Sequence, residues 1–222
     1  MFRVKICGIT RLEDARVAAD AGADAIGLNF YALSPRCCPL EPAREIAQSL
    51  PRHVCKVGVF VNASADEIHR TAESVPLDLV QLHGDEPPEL MREIRPLPIM
   101  RAVRVRDDLS EIGAFLAACH RQAATPRLLL VDAWGSGQYG GTGATVDWTF
   151  LAQNRQHFRG LPLVLAGGLT AENVSAAIAT VRPWAVDVAS GVEIAPGRKS
   201  PELVRRFVCA ARMAFRELTT RT

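Results

Sequence analysis

Two residues in this sequence have the type and position to do chemistry: Cys7, in Lys5-Ile6-Cys7-Gly8, and Asp132, which ends the apolar run Leu128-Leu129-Leu130-Val131. A thiol and a carboxyl group can serve one substrate as base and acid if each holds the protonation state its task requires. A thiol titrates at about 8.5, so a modest depression already yields appreciable thiolate at neutral pH. Lys5 lies two residues before Cys7, points to the same face of a strand, and would favour that thiolate. A free cysteine is also often a small buried hydrophobe, which is the reading for Cys55, Cys119 and Cys209. For Cys7 both readings stand. Asp132 is either a loop cap or a reacting group. At an ordinary pKa of about 3.9 a carboxyl is protonated about once per thousand molecules at pH 7, so an acid role asks for burial or a nearby substrate anion.

Such a pair needs a scaffold that gathers strand ends. Short apolar runs alternate with amphipathic segments and predict strands over residues 4–7, 25–29, 56–61, 79–83, 99–103, 128–132, 163–166 and 185–189. Runs that are apolar throughout, such as Leu163-Val164-Leu165, suit parallel strands buried on both faces. Thr10 with Glu13, Ser64 with Glu67 and Asp108 with Glu111 have the spacing of capping boxes. Asp147 and Thr170 read as further caps, and Ser200-Pro201 opens a last helix over 201–218. Eight strand–helix units predict an α/β fold, a single (β/α)8 TIM barrel over residues 1–222 with eight parallel strands inside outer helices. An open doubly wound sheet would want a glycine-rich fingerprint after its first strand, and Cys7-Gly8-Ile9-Thr10 is not one.

Composition sets limits on function. The 222 residues are 48% hydrophobic and 23% charged, with a formal net charge of +2. That near-neutral balance gives no reason to expect nucleic acid or an acidic membrane surface as a partner, and it leaves protein partners open. The six cysteines show neither metal-site spacing nor a small disulfide framework, so no metal is expected and the cytoplasm is the natural location. The first residues form a strand-like run instead of a signal core, and no apolar stretch is long enough to span a bilayer.

In a (β/α)8 barrel, reacting residues lie at the C-terminal strand ends and in the loops after them. Ala166-Gly167-Gly168-Leu169 comes after the seventh strand and Ala189-Ser190-Gly191 after the eighth. Glycines admit an anion close to backbone N–H groups, and these are the two loops where the fold most often holds phosphate. The bland alternative is a pair of tight turns. Gly140-Gly141-Thr142-Gly143 lies in a long loop over 133–146 that could fold over a ligand or be a plain surface excursion. Arg36, in Ser34-Pro35-Arg36, is either solvated or a bidentate clamp for a carboxylate. His83 could be a ligand, a proton shuttle or a structural residue.

Taken together, these segments resemble a known family. Lys5-Ile6-Cys7-Gly8-Ile9-Thr10, Ser34-Pro35-Arg36, Val57-Gly58-Val59-Phe60-Val61-Asn62 and Val80-Gln81-Leu82-His83-Gly84 are similar to first-half motifs of phosphoribosylanthranilate isomerases. Asp132-Ala133, Gly140-Gly141-Thr142-Gly143, Asp147-Trp148, Leu165-Ala166-Gly167-Gly168-Leu169, Glu172-Asn173-Val174 and the segment 186–196 are similar to the second half, so the match runs from about residue 3 to 207. The resemblance implies a (β/α)8 barrel and the Amadori rearrangement of N-(5-phosphoribosyl)anthranilate in tryptophan biosynthesis, with no cofactor. It implies Cys7 as general base, Asp132 as general acid and Arg36 at the anthranilate carboxylate. Gly167, Gly168, Ser190 and Gly191 would hold the phosphate, while Gln81, His83 and Gly141 join the substrate-binding set. The chain departs from the motif at Ala189, Ser200 and Cys37-Cys38-Pro39, none of which touches the acid–base pair.

Two other readings remain at this point. One is an aldose–ketose isomerase or epimerase for another sugar phosphate, which would not need a carboxylate clamp at Arg36. The other is a barrel that binds a phosphorylated metabolite without turning it over.

Overall fold

The computed structural model describes residues 2–105, 108–133 and 147–220. The strands are β1 (Val4–Ile6), β2 (Ala25–Asn29), β3 (Cys55–Phe60), β4 (Leu79–Leu82), β5 (Ile99–Val105), β6 (Leu128–Ala133), β7 (Leu163–Leu165) and β8 (Ala185–Val188). All eight are parallel to their neighbours and close into a barrel, β8 pairing with β1 in the register Val4↔Val186 and Lys5↔Asp187. The helices are α1 (Leu12–Asp20), α2 (Leu40–Ser49), α3 (Ala65–Ser74), α4 (Pro88–Glu93), α5 (Ser110–Arg121), α6 (Trp148–Gln153), α7 (Val174–Val181) and α8 (Pro201–Thr220). A short antiparallel hairpin, β9 (Glu193–Ala195) with β10 (Arg198–Lys199), stands between β8 and α8. Among the described residues no helix is long and apolar enough to cross a membrane.

Side-chain alternation along the strands explains both core layers. One buried cluster fills the barrel interior with Ala25, Val57, Leu79, Met100, Ala102, Leu128, Leu130, Val164 and Ala185. A second buries Ile6, Ile26, Leu28, Leu129, Val131, Leu165 and Val186 against helix residues such as Ala15, Ile178, Phe207 and Val208. The same period of two selects the side chains that reach the mouth. Leu128 and Leu130 point inward, so Asp132 does too; Ala185 leads to Asp187, and Leu79 to Gln81 and His83.

Local helix signals had mixed success. The Ser64–Glu67 capping box forms, Asp147 caps α6 through Phe150 N–H, and Ser200 Oγ accepts from Leu203 N–H at 3.3 Å. The expected Thr10–Glu13 box does not form: α1 starts after Arg11, and the Thr10 hydroxyl instead donates to the Gly197 carbonyl at 2.6 Å. Asp108 does not pair with Glu111; its carboxylate accepts from Ser110 N–H and Oγ–H. Thr170 opens a turn and not a helix, because Asn173 Oδ1 takes its N–H and α7 starts only at Val174.

Candidate active site

At the C-terminal mouth lies a cleft with about 740 Å³ of empty space, part of it open solvent. Cys7, Arg36, His83, Asp132, Gly167, Gly168, Ser190 and Gly191 all line it, together with Tyr31, Ser34 and Asp187. Eight of the residues singled out from the sequence therefore share one site. Gly141 lies outside the described residues. Gln81 does not line the cleft: it is fully buried, its Nε2 2.7 Å from His83 Nδ1.

Cys7 comes directly after β1, and its N–H donates to Val188 O at 2.8 Å, which ties it to β8. Gly27 on β2 leaves the space the thiol needs. A Cβ there would stand 2.7 Å from Cys7 Sγ and 3.0 Å from Lys5 Nζ. Lys5 is fully buried and donates to both Asp187 oxygens at 3.0 Å. The Cys7 thiol is held above its ordinary range: burial is the largest cause, and the nearby Asp187 carboxylate adds to it, while the Lys5 and Lys199 ammoniums pull the other way and lose. The sequence expectation that Lys5 would win was incomplete, because its own counter-ion stands beside it. Lys5 itself is raised: burial alone would lower it, but Asp187 and Cys7 outweigh burial.

Asp132 is nearly buried and faces His83, whose Nε2 lies 3.3 Å from Asp132 Oδ2. Gln81, His83 and Asp132 thus form a chain running from the barrel interior to the mouth.

The two glycine loops pack into one structure. Gly167 and Gly168 have φ of +87° and +61°, a conformation costly for residues with a Cβ. Asn173 Nδ2 donates to Gly168 O at 2.9 Å and fixes the turn. A Cβ on Gly191 would stand 1.9 Å from Leu169 O, so only glycine lets the β8 loop approach the β7 loop.

Proteins of known family share this sequence and this barrel. The family model for N-(5'-phosphoribosyl)anthranilate isomerase matches residues 4–210. The chain belongs to the phosphoribosylanthranilate isomerase family. It is 50% identical over 217 residues to the N-(5'-phosphoribosyl)anthranilate isomerase of Rubrobacter xylanophilus, covering 96% of this chain and 100% of that protein. To the same-named protein of Acidithiobacillus ferrooxidans it is 47% identical, covering 96% and 98%. The crystal structure of phosphoribosyl anthranilate isomerase from Thermotoga maritima superposes with a TM-score of 0.84 at 42% identity, covering 96% and 100%. A family structure in complex with reduced 1-(o-carboxyphenylamino)-1-deoxyribulose 5-phosphate superposes at 0.81 with 41% identity, covering 96% and 100%.

Beyond what the sequence singled out, the site holds further ionic residues. Asp187 is one; Glu193 and Lys199 are two more. Arg36 does not wave freely into the cleft: Nε donates to Glu193 Oε1 at 2.9 Å and Nη2 to Oε2 at 2.7 Å. Lys199 Nζ donates to Glu193 Oε1 at 2.8 Å and to Ala189 O at 3.1 Å. Burial and the like charge of Arg36 lower the Lys199 pKa despite Glu193. For Glu193, burial would raise the pKa, but Arg36 and Lys199 overcome it and hold the carboxylate below its ordinary range. Asp187 and Glu193 both lie in the family-like segment 186–196, but neither was singled out within it as a site residue.

Proposed function

We propose that the chain converts N-(5-phosphoribosyl)anthranilate to 1-(2-carboxyphenylamino)-1-deoxyribulose 5-phosphate, with Cys7 as general base and Asp132 as general acid. The observation that carries this reading is that a thiol and a carboxyl group line one cleft with Arg36 and two glycine loops. Asp132 gives its proton to the ribose ring oxygen as the C1–O bond breaks and the amine nitrogen forms an iminium at C1. Cys7, as thiolate, takes the proton from C2, and the electron pair flows toward nitrogen to give the enolamine. Proton return at C1 and loss of the enol proton complete the ketone, so the sequence is redox-neutral overall.

Binding groups sit at both ends of the reacting carbons. Backbone amides of the Gly167-Gly168 and Ser190-Gly191 loops take the phosphate, and Arg36 takes the anthranilate carboxylate. His83 supports Asp132 through the contact described above. The barrel works as one domain. Free cysteines at Cys7, Cys37, Cys38, Cys55, Cys119 and Cys209 suit a reducing, cytoplasmic setting.

The test monitors loss of substrate fluorescence with purified protein. Cys7→Ala and Asp132→Asn are each expected to lower kcat by on the order of a hundredfold or more while still binding the reduced product. Near-wild-type turnover in either variant would remove that residue from the mechanism.

A further inference from the structure

Glu193 has no part in the proton transfers, yet its side chain is only 5% exposed beside the cleft. It starts the β9–β10 hairpin, and its carboxylate is shared between two cations. Arg36 meets it through Nε and Nη2, and Lys199 through Nζ. Gly197 N–H adds a fourth donor at 3.2 Å and closes the hairpin around Oε1. One carboxylate and two cations leave a formal charge of +1 (−1 + 2) on this buried triad.

The geometry also settles which way the guanidinium faces. Arginine has two flat edges that can each grip a carboxylate. Glu193 occupies the Nε–Nη2 edge, which leaves the Nη1–Nη2 edge for a ligand. The arginine stem is pinned as well: it crosses Gly8, where a Cβ would stand 2.6 Å from Arg36 Cδ. An unanchored arginine would lose its rotamer freedom at each binding event. Here that freedom is gone before the ligand arrives.

We propose that Glu193 is the positioning residue that makes the site selective for a carboxylate-bearing arylamine, by holding Arg36 so that one edge of its guanidinium faces the ligand, an orienting effect that outweighs the one positive charge Glu193 neutralises. The proposal rests on the reading of Arg36 as the carboxylate clamp. It predicts a specificity effect, not a rate effect.

The test measures, by calorimetry, affinities for two probes. One is the reduced product, 1-(2-carboxyphenylamino)-1-deoxyribitol 5-phosphate; the other is the same molecule without the carboxylate. Glu193→Gln is expected to cut the preference for the carboxylated probe by on the order of tenfold, with the other probe unchanged. In turnover, KM should rise while kcat is nearly held, and Glu193→Asp should give an intermediate preference. The readout is a ratio within one sample, so partial loss of folded protein cancels. A wild-type or larger ratio in Glu193→Gln overturns the proposal; if that variant does not fold, a wild-type or larger ratio in Glu193→Asp does so. Arg36→Met separates the two levels. If it too keeps the wild-type ratio, the clamp reading fails; if it loses the preference while the Glu193 variants keep it, only the role of Glu193 fails.

Discussion

Lys5–Asp187 and Arg101–Glu86 are both buried ion pairs built from strand and loop residues of one barrel. Arg101 points outward from β5, over the Phe115 ring at 5.1 Å, and its Nη2 donates to Gly84 O at 3.0 Å. Glu86 accepts from Asn62 N–H at 2.9 Å and Gly84 N–H at 3.0 Å. The remaining hydrogen bonds of that pair go to backbone, so it fastens the β3 and β4 loops beneath His83. Lys5–Asp187 instead points into the barrel, touches Cys7, and shows Asp187 to the cleft. Where a buried charge directs its remaining contacts separates scaffold from chemistry here.

Substitutions in the two pairs put that contrast at risk. Lys5→Met should have the largest effect, because it leaves Asp187 buried without its cation. A stability loss of about 3–5 kcal/mol is expected by denaturant melts, together with a fall in kcat/KM of roughly tenfold or more. Arg101→Met should cost about as much stability, roughly 3–5 kcal/mol, while kcat per folded molecule stays near wild type. Equal losses of kcat in the two variants would erase the distinction.

The pH dependence probes the same wall. The Cys7 pKa is raised, so below it each unit of pH increases the thiolate about tenfold. Accordingly the rate at which iodoacetamide alkylates Cys7, followed by peptide mass spectrometry, should climb from about pH 6 to past about pH 8.5 without a plateau. In the Lys5→Met protein the climb should move to still higher pH, since a group that lowers the Cys7 pKa has gone. A profile already flat at neutrality contradicts the raised thiol. The smallest effect concerns a local signal far from the cleft: Ser64→Ala, which removes a formed capping box, should cost about 1 kcal/mol in thermal melts with activity unchanged.

How much was legible beforehand depends on the range over which each interaction acts. The strands were readable because runs such as Leu128-Leu129-Leu130-Val131 satisfy both barrel layers at once, and every predicted strand lies within about two residues of its observed bounds. Ser64 and Glu67 were readable because both partners sit within one turn. Thr10 was misread because its hydroxyl found a carbonyl 187 residues away. Arg36 was placed correctly at the mouth, but Glu193, its partner 157 residues on, left no local trace. The fate of Cys7 turned on burial and Asp187 against Lys5 and Lys199, and only Lys5 among these charges lies close by in sequence. Gln81 is buried and off the cleft lining, a depth in the barrel that a motif match does not tell.

The seam between β1 and β8 has a temporal consequence. Lys5 leaves the ribosome 182 positions before Asp187, its counter-ion. Over that interval the ammonium has no native place to go, and the thiol beside it has no wall to sit against. Barrel closure and site assembly are therefore one late, long-range event, so a nascent chain that stops before β8 should hold neither the closed sheet nor the cleft.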